Sequence, residues 1–237
     1  KSAYHQIRMH KEDIEKTAFA FGDQKYEFMY MPFGLQGAPF SLSVALNEVL
    51  KQCRDFVGVY YDDKIIFSKS REDHFNHLKS VFDIFAAHGL QLNLQKSQFV
   101  KEEVRFLGHV VSDEGIRPEV SKISEIVEFK KPTCLSEVQS FLSMCAFFRR
   151  FLENFSQHAA SLYELLKKGP KFVWDVSCDD SFEHIKNALS NAPMLIHPRF
   201  DRPFLLYCDA SLKAVGFTLG QMVDGEFSPI QFGGRVL

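Results

Sequence analysis

The sequence predicts an α+β fold: helices packed against an antiparallel sheet, then a helical segment, then the opening of a second α/β region. Three observations predict it. Between residues 38 and 116, apolar residues at helical spacing alternate with short strand-forming runs, in the order helix, hairpin, helix, strand. That order suits helices layered on an antiparallel sheet. From Arg117 to Lys168 the helical period dominates, broken at Pro132. Beyond KKGPK, Lys167 to Lys171, the chain returns to helix, strand, turn and strand.

The first helix follows MPFGLQGAP. Pro39 suits a first helical turn, and Leu42, Ala45, Leu46, Val49, Leu50 and Cys53 recur on one face. FVGVYYDDKIIF then reads as two short strands with the acids Asp62 and Asp63 at the turn between them. The second helix lies in SREDHFNHLKSVFDIFAAHG. Ser70 with Asp73 resembles a capping box, Phe75, Leu78, Phe82 and Phe85 make a face, and Gly89 ends it. VRFLGHVVSDEGI reads as a strand, with a hairpin closing near Asp113–Gly115. In the helical segment Val138, Phe141, Leu142, Cys145 and Phe148 form an apolar face with Arg149 and Arg150 at its edge. KKGPK reads as a linker that Trp174 anchors to the next domain. DDSFEHIKNALSNAP reads as an amphipathic helix, and RPFLLYCDASLKAVGFTLGQ as a strand, a turn and a strand.

Composition bounds the class. The chain has 237 residues, 46% hydrophobic and 24% charged, enough for one large or two modest globular domains. Twenty-five Phe predict thick aromatic cores. No apolar stretch approaches the ~20 residues of a membrane span, and no secretory signal opens the chain. Lys1 falls in what reads as the middle of an element, so a piece of a longer chain is expected. Cys53, Cys134, Cys145, Cys178 and Cys208 form no C-x-x-C pair, which favours reduced core thiols in an intracellular setting. Net charge is −2, yet Arg117 to Lys171 holds nine Lys/Arg against six Asp/Glu. A basic segment beside acidic ones fits phosphate contact in one place and metal binding in another; a solvated helix face has the same composition.

Asp62 and Asp63 set the chemical question. Adjacent acids at a turn are commonly polar turn residues. They also suit Mg²⁺, which takes hard oxygen ligands, often one or two carboxylates with substrate phosphates. A pair of such ions organises in-line phosphoryl transfer, for which a third acid from a neighbouring strand is wanted. His74 and His77 lie three apart on a helix, a spacing open to zinc, but with no Glu or Cys at ligand spacing a solvated face is expected.

YHQIRMHKEDIEKTAF, MPFGL followed by AP, Y-Y-D-D, LNLQKSQF, FLGHVVSDEGI, FFRRFL, FVW and LLYCDAS together resemble the reverse transcriptases of gypsy-type long-terminal-repeat retrotransposons, over nearly the whole chain. The resemblance implies a polymerase palm with partial fingers over 1–116, a helical thumb over 117–170 and the truncated N-terminal part of an RNase H-like α/β domain over 171–237. It implies an RNA-directed DNA polymerase acting by two-metal nucleotidyl transfer onto a primer 3′-hydroxyl, with Mg²⁺ or Mn²⁺ as cofactor. Its partners are an RNA or DNA template with primer and deoxynucleoside triphosphates, its setting a cytoplasmic retroelement particle.

The resemblance also assigns residues. Asp62 and Asp63 match the metal-holding acids. Tyr4 matches the aromatic beneath the incoming sugar, which otherwise reads as a core Tyr. Phe33, Gly34 and Leu35 match the loop near the templating base and nucleotide. Lys96 matches a lysine near the triphosphate, which otherwise reads as solvated. Phe106, Leu107 and Gly108 match the primer grip. Arg149 and Arg150 match a pair expected on backbone phosphates or in internal ion pairs, and Asp209 matches the first RNase H metal acid.

There are departures. The first palm acid of the family falls two residues before Lys1, and the other RNase H acids fall beyond Leu237. Gly37 stands for the usual Asn, Leu42 for Phe, Phe147–Phe148 for a Tyr pair, and FGGR (Phe232 to Arg235) for Ser-Arg. These departures predict little or no polymerase activity for residues 1–237 alone. They also leave open a catalytically silent or co-opted remnant that binds nucleic acid or protein.

Overall fold

The computed structural model describes residues 3–167 and 172–237. These form two compact units, Lys1–Lys101 and Glu102–Leu237. Among the described residues no helix is long and apolar enough to cross a membrane.

The first unit opens with a 3₁₀ turn, Tyr4–Gln6, and an antiparallel hairpin, β1 (Phe19–Phe21) and β2 (Gln24–Tyr26), that the sequence reading lacks. Helix α1 (Ala38–Val49) starts with Pro39 in its first turn, as expected. Leu42, Leu46 and Leu50 fall one turn apart and are all buried, which is what a 3.6-residue period puts on one face. Strands β3 (Val57–Tyr60) and β4 (Asp63–Ile66) pair antiparallel. Helix α2 (Arg71–Ala87) is capped by Ser70, whose hydroxyl accepts from the Asp73 N–H at 3.1 Å and donates to the Asp73 carboxylate at 2.7 Å.

The buried face of α2 is only partly the expected one. Leu78, Val81, Ile84 and Phe85 point inward, while Phe75 and Phe82 are exposed. Val81, Ile84 and Phe85 of that row pack with Leu50, Cys53 and Val57. Phe75 instead lies under the Arg71 guanidinium, and Phe82 meets Phe99 edge-on. His74 and His77 also depart from the solvated face expected of them. Both Nδ1 atoms meet the Ser68 hydroxyl, at 3.2 and 2.7 Å, and the His77 ring stacks on Phe56 at 3.7 Å.

The second unit begins with an antiparallel meander, β5 (Glu103–Phe106), β6 (His109–Ser112) and β7 (Ile116–Pro118). The single strand read through FLGH is broken there by a two-residue turn, and β7 takes Arg117 and Pro118 from the expected helical segment. Next come α3 (Val120–Val127), α4 (Leu135–Phe147), a 3₁₀ turn Arg149–Phe151, α5 (Phe155–His158), α6 (Ala160–Leu165) and α7 (Val176–Ser190). Helix α7 starts before the expected DDSFEH run, because Asp175 caps it by accepting from the Cys178 N–H at 2.9 Å. The linker expected at Lys167–Lys171 lies, beyond Lys167, outside the described residues.

Strands β8 (Leu205–Ala210), β9 (Ala214–Val223) and β10 (Glu226–Val236) form an antiparallel sheet in the order β10-β9-β8. β10 is an element the sequence pattern does not predict. One core spans this unit: Val138, Phe141, Cys145 and Leu162 share it with Cys178, Phe182, Leu195 and Phe232. Trp174 joins its edge, donating to Asp179 at 2.8 Å and meeting Phe182 edge-on, as an anchor should. The Ile116 and Leu195 backbones exchange hydrogen bonds at 2.8 and 2.9 Å, which ties the meander to the chain after α7. All five cysteines are free; Cys53, Cys145 and Cys178 are buried, but Cys134 and Cys208 are exposed rather than in the core.

Candidate active site

The acidic hairpin is built as its sequence requires. Val57 is buried and Val59 and Ile66 pack toward the core, so alternation sends their neighbours outward. Tyr60 pairs with Asp63, leaving Tyr61 and Asp62 as a two-residue turn. Tyr61 takes a φ of 46°, a left-handed conformation that costs a side-chain-bearing residue roughly 1–2 kcal/mol and one that concentrates at functional sites. Asp62 is therefore at the tip and Asp63 is the first residue of β4, both exposed.

Lys64 is a neighbour that the sequence reading passed over. Its ammonium donates to the Asp62 carbonyl at 2.9 Å. Burial pushes its pKa down, while Asp62 and Asp63 pull it back up. A cation thus stands beside two like charges, easing the repulsion between them. The two carboxylates supply hard oxygens of the kind Mg²⁺ takes. Among the described residues they are not joined by a third His, Cys, Asp or Glu in a metal-binding group. The donor set fits a divalent ion in type and falls short in number.

Tyr4 and Phe33 come together. Their rings meet edge-on at 5.4 Å, and the His5 ring lies tilted 5.2 Å from Phe33. Phe33 is exposed and is followed by Gly34, with φ 88°. Tyr4 packs on the Met31, Ala38, Leu42 and Leu46 cluster, which Val59 of the acidic hairpin also touches. Lys96 is exposed and makes no ion pair among the described residues. Its segment is tied to the Tyr4 turn through Gln6: the Gln91 N–H donates to Gln6 Oε1 at 2.6 Å, and Gln6 Nε2 donates to the Gln91 carbonyl at 3.2 Å. No single-sequence pattern marks such a side-chain-to-backbone pair across 85 positions.

In the second unit Phe106 pairs with His109, so Leu107 and Gly108 make the turn. Both have positive φ, 51° and 74°, the signature of a type I′ hairpin. The turn sits against Phe147: a Cβ on Gly108 would lie 3.2 Å from its ring. Arg149 and Arg150 occupy the 3₁₀ turn after α4. Arg117, Lys122, Lys131 and Lys167 are ion-paired with Glu103, Glu125, Asp179 and Glu164, whereas neither Arg149 nor Arg150 has an ion pair among the described residues. Asp209 lies exposed on β8 opposite Gly216, beside a small cleft lined by Asn154, Ser156 and Gln157.

The family model described as reverse transcriptase (RNA-dependent DNA polymerase) matches residues 1–111. The one described as the RNase H-like domain found in reverse transcriptase matches residues 174–237. Among curated proteins, the retrovirus-related Pol polyprotein from transposon 297 of Drosophila melanogaster is 38% identical over 236 residues, 99% of this chain and 22% of that protein. The Pol polyprotein from transposon gypsy of the same organism is 33% identical over 250 residues, covering all of this chain and 24% of that protein. The chain thus spans under a quarter of the length of either. Among solved structures, a foamy viral protease–reverse transcriptase in complex with double-stranded DNA superposes with a TM-score of 0.84 at 26% identity, over 97% of this chain and 40% of that one.

Proposed function

Because the chain belongs to the reverse transcriptase family, as a segment homologous to gypsy-type retrotransposon Pol polyproteins with an RNase H-like domain, we propose that it is the catalytic-hairpin and thumb portion of an RNA-directed DNA polymerase. The observation that carries this reading is the Tyr60–Asp63 hairpin. It presents two carboxylates on a short rigid tip, one residue of which is held in a strained conformation. Residues 1–116 act as palm with partial fingers, 117–170 as thumb, and 171–237 as the start of the RNase H-like domain.

Asp62 and Asp63 would hold divalent metal, Mg²⁺ or Mn²⁺, which when bound lowers the charge barrier to in-line attack by the primer 3′-hydroxyl on a nucleotide α-phosphate. Tyr4 and Phe33 form the wall on which the incoming sugar and base rest, and Tyr4 excludes a 2′-hydroxyl by bulk. Lys96 offsets triphosphate charge. Phe106, Leu107 and Gly108 aim the primer end. Arg149 and Arg150, free of ion pairs among the described residues, contact template–primer phosphates, for which the guanidinium fork is well suited. Asp209 is the first metal acid of the RNase H-like domain. The setting is a cytoplasmic retroelement particle.

Two carboxylates hold Mg²⁺ poorly without a third, so residues 1–237 alone are expected to give no primer extension on poly(rA) with Mg²⁺. The parent Pol polypeptide is expected to extend the primer, and D63N in it to abolish synthesis. Robust extension by residues 1–237, or by the D63N parent, would overturn the assignment. A parent that is inactive yet binds primer–template would instead favour a silent remnant.

A further inference from the structure

We propose that His109 is a positioning residue that fastens the Leu107–Gly108 turn to the Phe147–Phe151 corner, so that the primer-end contact and Arg149–Arg150 act as one body. The role rests on the polymerase reading above; the geometry stands apart from it. His109 is the first residue of β6 and directly follows the turn. Its Nδ1 lies 2.7 Å from the Leu107 carbonyl. A carbonyl only accepts, so Nδ1 carries the proton and the tautomer is set. The bond spans the turn itself, whose two residues both hold positive φ.

The ring is boxed by aromatics. Phe147, Phe148 and Phe151 lie 5.3, 5.8 and 5.5 Å away by ring centroid, distances at which tilted rings attract. Phe148 and Phe151 are themselves buried in the core of the unit, so the box does not yield easily. His109 Nε2 and Arg150 Nε are both buried without a hydrogen-bond partner among the described residues. The ring is therefore held by stacking and by Leu107, not by a saturated polar network. Burial pushes its pKa down; the Leu107 carbonyl pulls it up and the Arg150 charge pushes it down further. His109 is thus neutral at pH 7, which its place beside a guanidinium requires.

The sequence FLGHVV supplies a reason for a histidine here. A ring is needed to meet three phenylalanines, and an N–H is needed at one edge to meet the carbonyl of the residue two back. Phe supplies the first feature and Asn the second.

The test uses residues 1–237 and a DNA primer–template with 2-aminopurine at the primer 3′ end. Amide exchange in the free chain is read first. In H109F, protection at Glu119, whose N–H donates to the Gly108 carbonyl of the turn at 3.0 Å, should fall about tenfold, the scale of one lost hydrogen bond, while Phe141 and Phe182 stay protected. H109N, which keeps an N–H near the Nδ1 position, should recover part of that loss. With primer–template added, H109F should keep its duplex affinity, which phosphate contacts set, and lose the 2-aminopurine response of the wild type. Unchanged protection in H109F, or a 2-aminopurine response that survives it, overturns the role of His109 alone. A wild type that gives no response to primer–template overturns the polymerase reading instead.

Discussion

The two units bury themselves in different ways. The second has a single core in which Val138, Phe141, Cys145, Ala159 and Leu162 are wholly inaccessible and which extends from α3 to β10. The first has two smaller clusters that share Val59 and Leu90 at their edges, and it exposes large aromatics: Phe21 at 75%, Phe40 at 73% and Phe33 at 65%. Yet the first unit carries the acidic hairpin, Tyr4, Phe33 and Lys96. Exposed aromatics in number are unusual on a surface that meets only water. Their number in the unit that carries the acids fits a surface that works by contact, while the second unit's interior works by packing.

The strongest way to break this contrast is at Phe141. It is fully buried, 4.6 Å by centroid from Phe182 and 5.6 Å from Phe129. Phe141→Ala should destabilise the second unit by about 3–5 kcal/mol, since a deleted buried ring loses transfer energy and leaves a cavity. Trp174 is the only tryptophan and stacks edge-on against Phe182, so its fluorescence follows this unit. Its unfolding midpoint should drop sharply while amide protection in α2 holds. If α2 loses protection in step, the two units are one cooperative body and the contrast in burial has no energetic meaning.

A smaller effect sharpens the same contrast at FGGR. The glycines of FGGR depart from the family's Ser-Arg pattern. Gly234 faces Gly216 across β9 and β10, and a Cβ there would lie 2.5 Å from the Val215 carbonyl and 3.3 Å from Ser156 Oγ. The close approach of the β9 backbone, with Ser156 of α5 next nearest, explains glycine at this position without invoking decay. Gly234→Ser should cost about 1–3 kcal/mol, the range for overpacking, again seen by Trp174 and not in α2. A neutral Gly234→Ser would mean that the sheet can shift away and that the second unit is less tightly packed than its burial implies.

How much of this was legible beforehand depended on whether the signal was local. The α1 face was, because Leu42, Leu46 and Leu50 repeat at one turn. So was the acidic hairpin, because strand-forming residues flank an Asp pair. Two missed strand pairings had local signals as well: Gly22–Asp23 between β1 and β2, and Asp224–Gly225 between β9 and β10, are turn dipeptides of the hairpin kind. The break at Leu107–Gly108 was harder to read, since Leu rarely takes positive φ and nothing in FLGH advertises it. The expected α2 face is only half right because three phenylalanines and Leu78 at helical spacing look like a core row, whereas Val81 and Ile84 take the inward places of Phe75 and Phe82. Lys64, adjacent to Asp63, was a local signal as well, but Gln6 on Gln91 and His109 on Phe147 were out of reach for a different reason. They depend on which chain segments meet, and no period or dipeptide encodes that.

The smallest test compares the helix caps. Each unit has one long helix with a side-chain N-cap: Ser70 on α2 and Asp175 on α7. Ser70 has no proton to gain. The Asp175 carboxyl is held below its ordinary value, first by the Ser177 hydroxyl and then by the Cys178 N–H. A carboxylate with a depressed folded pKa contributes stability that is fully present above the unfolded value near 3.8 and is lost as pH falls through the lower folded value. Acid below that range should therefore weaken the α7 cap and leave the Ser70 bond to the Asp73 N–H in place. Asp175→Asn keeps a capping oxygen but cannot titrate. Its Trp174-monitored midpoint should change less between pH 5 and pH 3 than that of the wild type. Equal pH dependence in the two proteins would show that the Asp175 cap is not what acid removes from the second unit.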